Sequence, residues 1–187
     1  DGYVSTWLGK YKAYGTTNDV GALARFANTH GVTVDQGTGD AYVADNRNSG
    51  DIRKATPGGT VTAWQVNISY ATGVTISDGH VWFCCSQGIL KGQLSNSAKT
   101  TFVGVNPTFR QWKIAFTSTG TIYACPFLKN NVAKYVLPSN TLIAVAGDAD
   151  TGGTDDGNGA AARFKKPTGV DVDSNDQVFV GDNGGYK

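Results

Sequence analysis

The sequence predicts an all-β fold, a β-propeller of four-stranded antiparallel blades, on three observations. The first is composition: of 187 residues 25 are Gly, all 15 acidic residues are Asp, and Glu and Met are absent. Glu and Met favour helices, whereas Val, Thr and aromatics favour strands and Gly and Asp favour turns. This argues against a helical bundle or a doubly wound α/β fold. The second is an internal repeat. Ala24-Arg25-Phe26, Gly31-Val32-Thr33-Val34-Asp35 and Ala41-Tyr42-Val43-Ala44-Asp45-Asn46 return as Ala162-Arg163-Phe164, Gly169-Val170-Asp171-Val172-Asp173 and Val178-Phe179-Val180-Gly181-Asp182-Asn183. The offset between copies is identical for the first two segments and one position shorter for the third, where a loop residue is lost. Third, weaker copies anchored on Val74 and Ile114 lie between Val32 and Val170, with a longer step before the last. Repeated units of about 40–45 residues made of short strands read as propeller blades.

The elements follow in order. Residues 1–14 hold the last strand of a preceding blade, since Val4-Ser5-Thr6-Trp7-Leu8 is similar to Val61-Thr62-Ala63-Trp64. The blade at 30–66 opens with the alternating Val32-Thr33-Val34-Asp35 and continues through Ala41 to Ala44 and Asp51 to Ala55. It turns at Pro57-Gly58-Gly59 and closes with Thr60 to Trp64. The blade at 72–105 uses Val74 to Ser77, Val81 to Cys85, Lys91 to Leu94 and Thr100 to Val105. The blade at 112–146 uses Trp112 to Thr117, Thr121 to Cys125, Val132 to Val136 and Thr141 to Val145. Residues 168–187 supply the first two strands of another. Three full blades with partial ends are expected to belong to a ring of six or more, completed by further chain or by a neighbouring subunit. A sequence that opens at Asp1 without Met reads as a processed chain or a fragment.

The run from Ala24-Arg25-Phe26 through Gly31 to Asp35 and Tyr42 to Asn46 to Ile52-Arg53-Lys54-Ala55-Thr56-Pro57-Gly58-Gly59 resembles the NHL repeat of β-propeller proteins. Val145-Ala146-Gly147, Gly157 to Phe164 and Pro167-Thr168-Gly169-Val170 look like the same motif with its long inter-blade loop. The resemblance implies a propeller, usually six-bladed, that serves protein interaction and in some members binds RNA. Related propellers include metal-dependent hydrolases and lyases, but fold does not transfer function. With two His and no Glu, the expected function is a non-catalytic protein-interaction or structural module. A metal-dependent propeller hydrolase or lyase is the alternative, and an RNA-binding NHL propeller the second. A net charge of +1 builds no polyanion-binding field. The basic residues come as scattered pairs (Lys10 and Lys12, Arg53 and Lys54, Arg110 and Lys113, Lys165 and Lys166, with Arg47 alone), which does not recommend nucleic acid. No apolar run has the length of a membrane span.

Candidate sites are few, and catalytic residues are none. The acidic loop from Gly147 to Gly159 carries Asp148, Asp150, Asp155, Asp156 and Asn158, oxygen ligands on a Gly-rich segment that suit Ca²⁺. Counted from Asp148, Gly152 fills the fifth place, Gly153 the sixth and Gly159 the twelfth, where an EF-hand needs Glu, so the same residues also read as a solvated loop of turn formers. No other cofactor is expected. The partner-binding surface is placed on the long loops, at Asn18, Asp19, Asp148, Asp150, Asp155 and Asp156. Asp45 and Asp182 end second strands and read as pins for a turn or, in the rival reading, as inner metal ligands. Arg25 with Phe26 and Arg163 with Phe164 recur and read as structural. Alignment of the middle blades puts Cys85 and Cys125 at the Asp45 position, where they read as a candidate disulfide or as buried thiols. His30 and His80 sit at blade turns, and Trp7 and Trp64 recur on fourth strands as packing residues. Asn67-Ile68-Ser69 is an N-glycosylation sequon; with three cysteines it points to an extracellular or lumenal setting.

Overall fold

Short apolar and β-branched runs, interrupted by Gly, Asp or Pro, fold back on one another as hairpins instead of forming helices. The computed structural model describes residues 2–46, 50–86, 88–95, 101–104, 111–126, 129–136, 139 and 141–184, the side chains of 101–104 and 111–112 excepted. Arg47, Arg110, Val105 and residues 185–187 lie outside the described residues.

The first sheet comprises β1 (Thr29–Val34), β2 (Ala41–Asp45), β3 (Asp51–Ala55) and β4 (Val61–Val66). The second comprises β5 (Val74–Ser77), β6 (His80–Cys85), β7 (Gly88–Gln93) and β8 (Thr101–Gly104). The third comprises β9 (Gln111–Phe116), β10 (Ile122–Pro126), β11 (Asn131–Val136) and β12 (Thr141–Gly147). A two-stranded fourth holds β13 (Pro167–Val172) and β14 (Val178–Asp182). Consecutive strands pair antiparallel throughout each sheet. The first strands β1, β5, β9 and β13 pack against one another in that order, so they lie innermost and the sheets are the blades of an all-β propeller. Among the described residues helix is confined to two single 3₁₀ turns, Gly21–Leu23 and Gly159–Ala161. No helix among the described residues is long and apolar enough to cross a membrane.

Because side chains alternate across a strand, each blade is apolar on both faces. Tyr42 and Ala44 of β2 face the second sheet and share a core with Ile52, Trp64, Val74, Val81, Phe83, Cys85 and Leu90. Ala41 faces the other way, with Ala24, Ala55 and Val61. The pattern repeats: Trp82, Cys84 and Ile89 meet Ile114, Ile122, Ala124 and Tyr135 of the third sheet. Cys125, Ala115 and Val132 of the third then meet Val170 of the fourth. Trp64 is the wedge of the first interface, edge-on to Tyr42 (ring centroids 5.2 Å apart) and to Phe83 (6.4 Å). Gly92 of β7 makes room for it, since a Cβ there would sit 2.6 Å from Trp64 Cη2.

Two elements differ from the sequence reading. Residues 4–8 form no strand and join none of the described sheets. Instead Leu8 packs on the core of Ala24, Ala41, Ala55 and Val61, while Trp7 remains 49% exposed. The third strand of the second blade starts at Gly88, not Lys91, because the hairpin turns tightly after Cys85, which pairs with Gly88, and buries Ile89 and Leu90.

The Trp64 wedge sets a stability expectation. Trp64→Ala should cost about 3–5 kcal/mol, and Gly92→Ala, by crowding the same ring, about 1–3 kcal/mol. Urea midpoints of the two variants check both; a neutral Gly92→Ala would show that the indole is not confined there.

Candidate functional site

The loops that precede β1 and β13 are one structure used twice. In the first, Gly15 N donates to Phe26 O (3.3 Å) and Arg25 N to Thr17 O (3.1 Å). In the second, Gly153 N donates to Phe164 O (3.0 Å) and Arg163 N to Asp155 O (2.9 Å). Arg25 Nη1 donates to the carbonyls of Ala22 (2.6 Å) and Ala24 (2.7 Å), and Arg163 Nη1 to those of Ala160 (2.6 Å) and Ala162 (2.8 Å). Each arginine thus satisfies carbonyls that a single 3₁₀ turn leaves open. Phe26 and Phe164 lie against Gly9 and Gly147, whose φ values of +82° and +83° suit glycine alone.

The strand-end carboxylates anchor these loops. Asp45 Oδ1 accepts the amides of Ala27 and Asn28, both at 2.9 Å. Asp182 accepts the amide of Lys165 on both oxygens, at 2.8 and 2.9 Å. In the first blade a second charge completes the anchor. Arg53, 1% exposed like Asp45, donates from Nη1 to Asp45 Oδ2 (3.3 Å) and Arg25 O (3.1 Å). Its Nε donates to Asn18 Oδ1 (2.9 Å) and its Nη2 to Thr17 O (3.0 Å), while the guanidinium lies 5.1 Å from the Phe26 ring centre. Burial pulls the Arg53 guanidinium down from its ordinary range and the Asp45 and Asp51 carboxylates oppose that pull. Sequence reading alone places Arg53 only among the scattered bases. The signal that could have found it is register: on β3 it pairs with Val43 of the strand that ends in Asp45.

The predicted loop residues are therefore partly consumed by structure. Asn18 is a partner of Arg53, and Asp19 Oδ1 accepts the amide of Val20 (2.7 Å). Asp148 Oδ1 accepts the amides of Asp150 (2.9 Å) and Thr151 (3.0 Å), which hold its carboxyl below the usual range. Asp150 meets Lys129 Nζ at 2.8 Å. Asp155 gives its carbonyl to Arg163, and Asn158 gives its own to Ala161. Asp148, Asp150, Asp155 and Asp156 are not brought together as a ligand set; among the described residues no three His, Cys or acidic side chains converge for a metal. The sister loop makes the same backbone bonds with fewer acids, so glycine and arginine, not a cation, set this shape.

The cysteines correct the alignment. Cys85 holds the Asp45 position, but β9–β10 pairing puts Pro126 there, with Gln111 opposite Pro126 as Thr29 is opposite Asp45. Cys125 falls one residue earlier, with Ala44, Cys84 and Gly181, and a one-residue shift turns a side chain to the other face. Cys85 faces back into the core shared with the first sheet and Cys125 forward into the core shared with the fourth, and all three thiols are buried with no disulfide between them. Cys125 donates to Gly169 O (3.4 Å), and burial pushes its thiol up to about 12. Elsewhere, Asn67 is exposed at φ +61° with Ile68 buried behind it, and the His80 ring sits against Trp82 and the carbonyl of Asp78.

No family model and no curated protein matches the sequence. Solved structures do match in fold. A protein of unknown function from Bacteroides thetaiotaomicron superposes with a TM-score of 0.60 at 14% identity, covering 95% of this chain and 58% of that one. Virginiamycin B lyase from Staphylococcus aureus, as an inactive variant with quinupristin, gives 0.62 at 15% identity, over 91% and 52%. An auxiliary nutrient binding protein from Bacteroides thetaiotaomicron gives 0.63 at 17%, over 86% and 47%. The chain thus spans about half the length of these proteins, and the likeness is one of fold.

The buried pair sets the second expectation. Arg53→Met or Asp45→Asn, each leaving an uncompensated partner, should cost about 3–5 kcal/mol, whereas Asp182→Asn, in a half-exposed copy of the anchor, should cost about 1–2 kcal/mol. Urea unfolding of the three variants and of the Asp45→Asn/Arg53→Met double variant checks this, with the double variant expected to lose less than the sum of its parts.

Proposed function

We propose that this chain is a non-catalytic interaction or structural module, an NHL-type propeller segment whose two end faces each take a further blade-type sheet. That sheet belongs to the rest of a longer polypeptide or to a protein partner. The observation that carries this reading is a comparison of equivalent positions. Val74, Ile114 and Val170 are 3%, 1% and 2% exposed, while Val32, at the same place in the first sheet, is 65% exposed. Tyr42 and Trp82 are 1% and 5% exposed, while Phe179, their counterpart in β14, is 56% exposed. Side chains that are core at every internal interface are thus uncovered at both ends, and such patches mark interaction surfaces. On the first face a groove of about 600 Å³ runs between β1 and the segment carrying Trp7, Tyr11 and Tyr14.

The carboxylates that an inner metal site would draw on, Asp45 and Asp182, are bonded to loop amides, which favours this reading over a metal-dependent hydrolase or lyase. That rival is motivated by the similarity to virginiamycin B lyase; the nutrient-binding neighbour accords with a binding role.

Light scattering on the purified 187-residue chain tests the proposal. The expected result is concentration-dependent association through the end faces, abolished by Val32→Asp with Phe179→Asp. A wild-type monomer of 19.6 kDa that melts sharply would overturn it. We also propose an extracellular or lumenal setting, which an exposed sequon at Asn67 would suit. Intact mass of the native protein before and after deglycosylation should then differ by a glycan; an unchanged mass would remove that support.

A further inference from the structure

The innermost strands open with equivalent dipeptides: His30-Gly31, Thr72-Gly73, Trp112-Lys113 and Thr168-Gly169. In β1, β9 and β13 the pairing with the second strand slips at this point, a β-bulge, and bulges re-aim side chains. At Gly31 neighbouring inner strands crowd, since a Cβ there would lie 2.6 Å from Thr72 O, whereas at Gly169 it would meet only Gly181 at 3.8 Å. Three of the four strands carry glycine at this place, and the third blade carries Lys113.

Lys113 lines a cavity of about 320 Å³ whose wall also includes His30, Thr72 and Thr168, drawn from all four innermost segments. Among the described residues no carboxylate lines this cavity. Asp171 lines a separate shallow depression on the β13 side that Lys113 also borders, and among the described residues Lys113 has no ion pair. One ammonium, two hydroxyls and an imidazole around a space at the small end of ligand pockets make a donor-rich, acid-free site. Local rules are broken at functional positions more often than elsewhere.

We infer that this cavity binds a small anion through a carboxylate or phosphoryl group, with Lys113 as its counter-ion and the threonine hydroxyls and His30 beside it as polar partners. The cavity shares His30, Gly31 and Val32 with the groove on the first end face, but Lys113, Thr72 and Thr168 lie outside that groove, so the Lys113 comparison reads anion binding independently of docking there.

The test titrates the 187-residue chain with inorganic phosphate and, separately, with citrate at constant ionic strength, read by calorimetry or by amide shifts in NMR. Saturable one-site binding of at least one is expected, and whichever saturates identifies the headgroup. Lys113→Gly, which installs the residue the sister strands carry, should keep the melt and weaken binding at least ~tenfold. Lys113→Gln serves the same comparison should the glycine variant not fold. Lys113→Arg should retain most of the affinity, and Lys129→Gln, in an exposed loop, all of it. Absence of saturable binding for both anions, or an unchanged affinity in Lys113→Gly or Lys113→Gln, would overturn the inference.

Discussion

A sheet with apolar side chains on both faces has no stable existence as a single layer, and every other feature of this chain answers to that constraint. In β2 the alternation sends Tyr42 and Ala44 one way and Ala41 the other; in β6 it sends Phe83 and Cys85 back while Trp82 and Cys84 go forward. Burial therefore proceeds by stacking, each sheet supplying half a core to each neighbour. The requirement also explains the large aromatic at equivalent positions of the second strands, Tyr42, Trp82 and Tyr123, which spans the gap to the next blade.

Stacking makes the connections between sheets the next problem. Where the chain crosses in a few residues, as from β4 to β5, the Asp45 position carries Cys85 and buries it in the interface. Where it crosses by a long loop, the position is Asp, and its oxygens hold the first amides before the inner strand. The loop itself is shaped by one arginine closing a 3₁₀ turn and one phenylalanine seated on a glycine. The first blade adds Arg53, which ties Asn18, Thr17, Arg25 and Asp45 into a single buried network.

The blade architecture is legible in the sequence because repetition is a long-range signal: Ala24-Arg25-Phe26 and its copy Ala162-Arg163-Phe164 report the same loop with no knowledge of its geometry. What the sequence conceals is register. Cys125 looks equivalent to Cys85 because both end an apolar strand, yet one residue separates them and puts their thiols in different cores. Arg53 is hidden for a related reason, since a charged residue in a strand reads as solvent-facing until its paired neighbours are known. The acids of the 148–158 loop are conspicuous but uninformative: turn-forming Asp and ligand Asp have the same composition, and only hydrogen-bond partners separate them.

The unequal ends carry one more consequence. An array in which each unit contacts only its neighbours has a stability that is a sum of unit and interface contributions, so the two-stranded β13–β14 unit, covered on one face only, contributes least and opens first. The native state is then a graded ladder of openings and not a single barrier, with the β6–β7 region at the protected centre. A sheet laid over Phe179, as proposed above, would convert the most labile rung into an interior one, so occupancy of that face would be transmitted as a change in local opening along the stack without any movement of the blades.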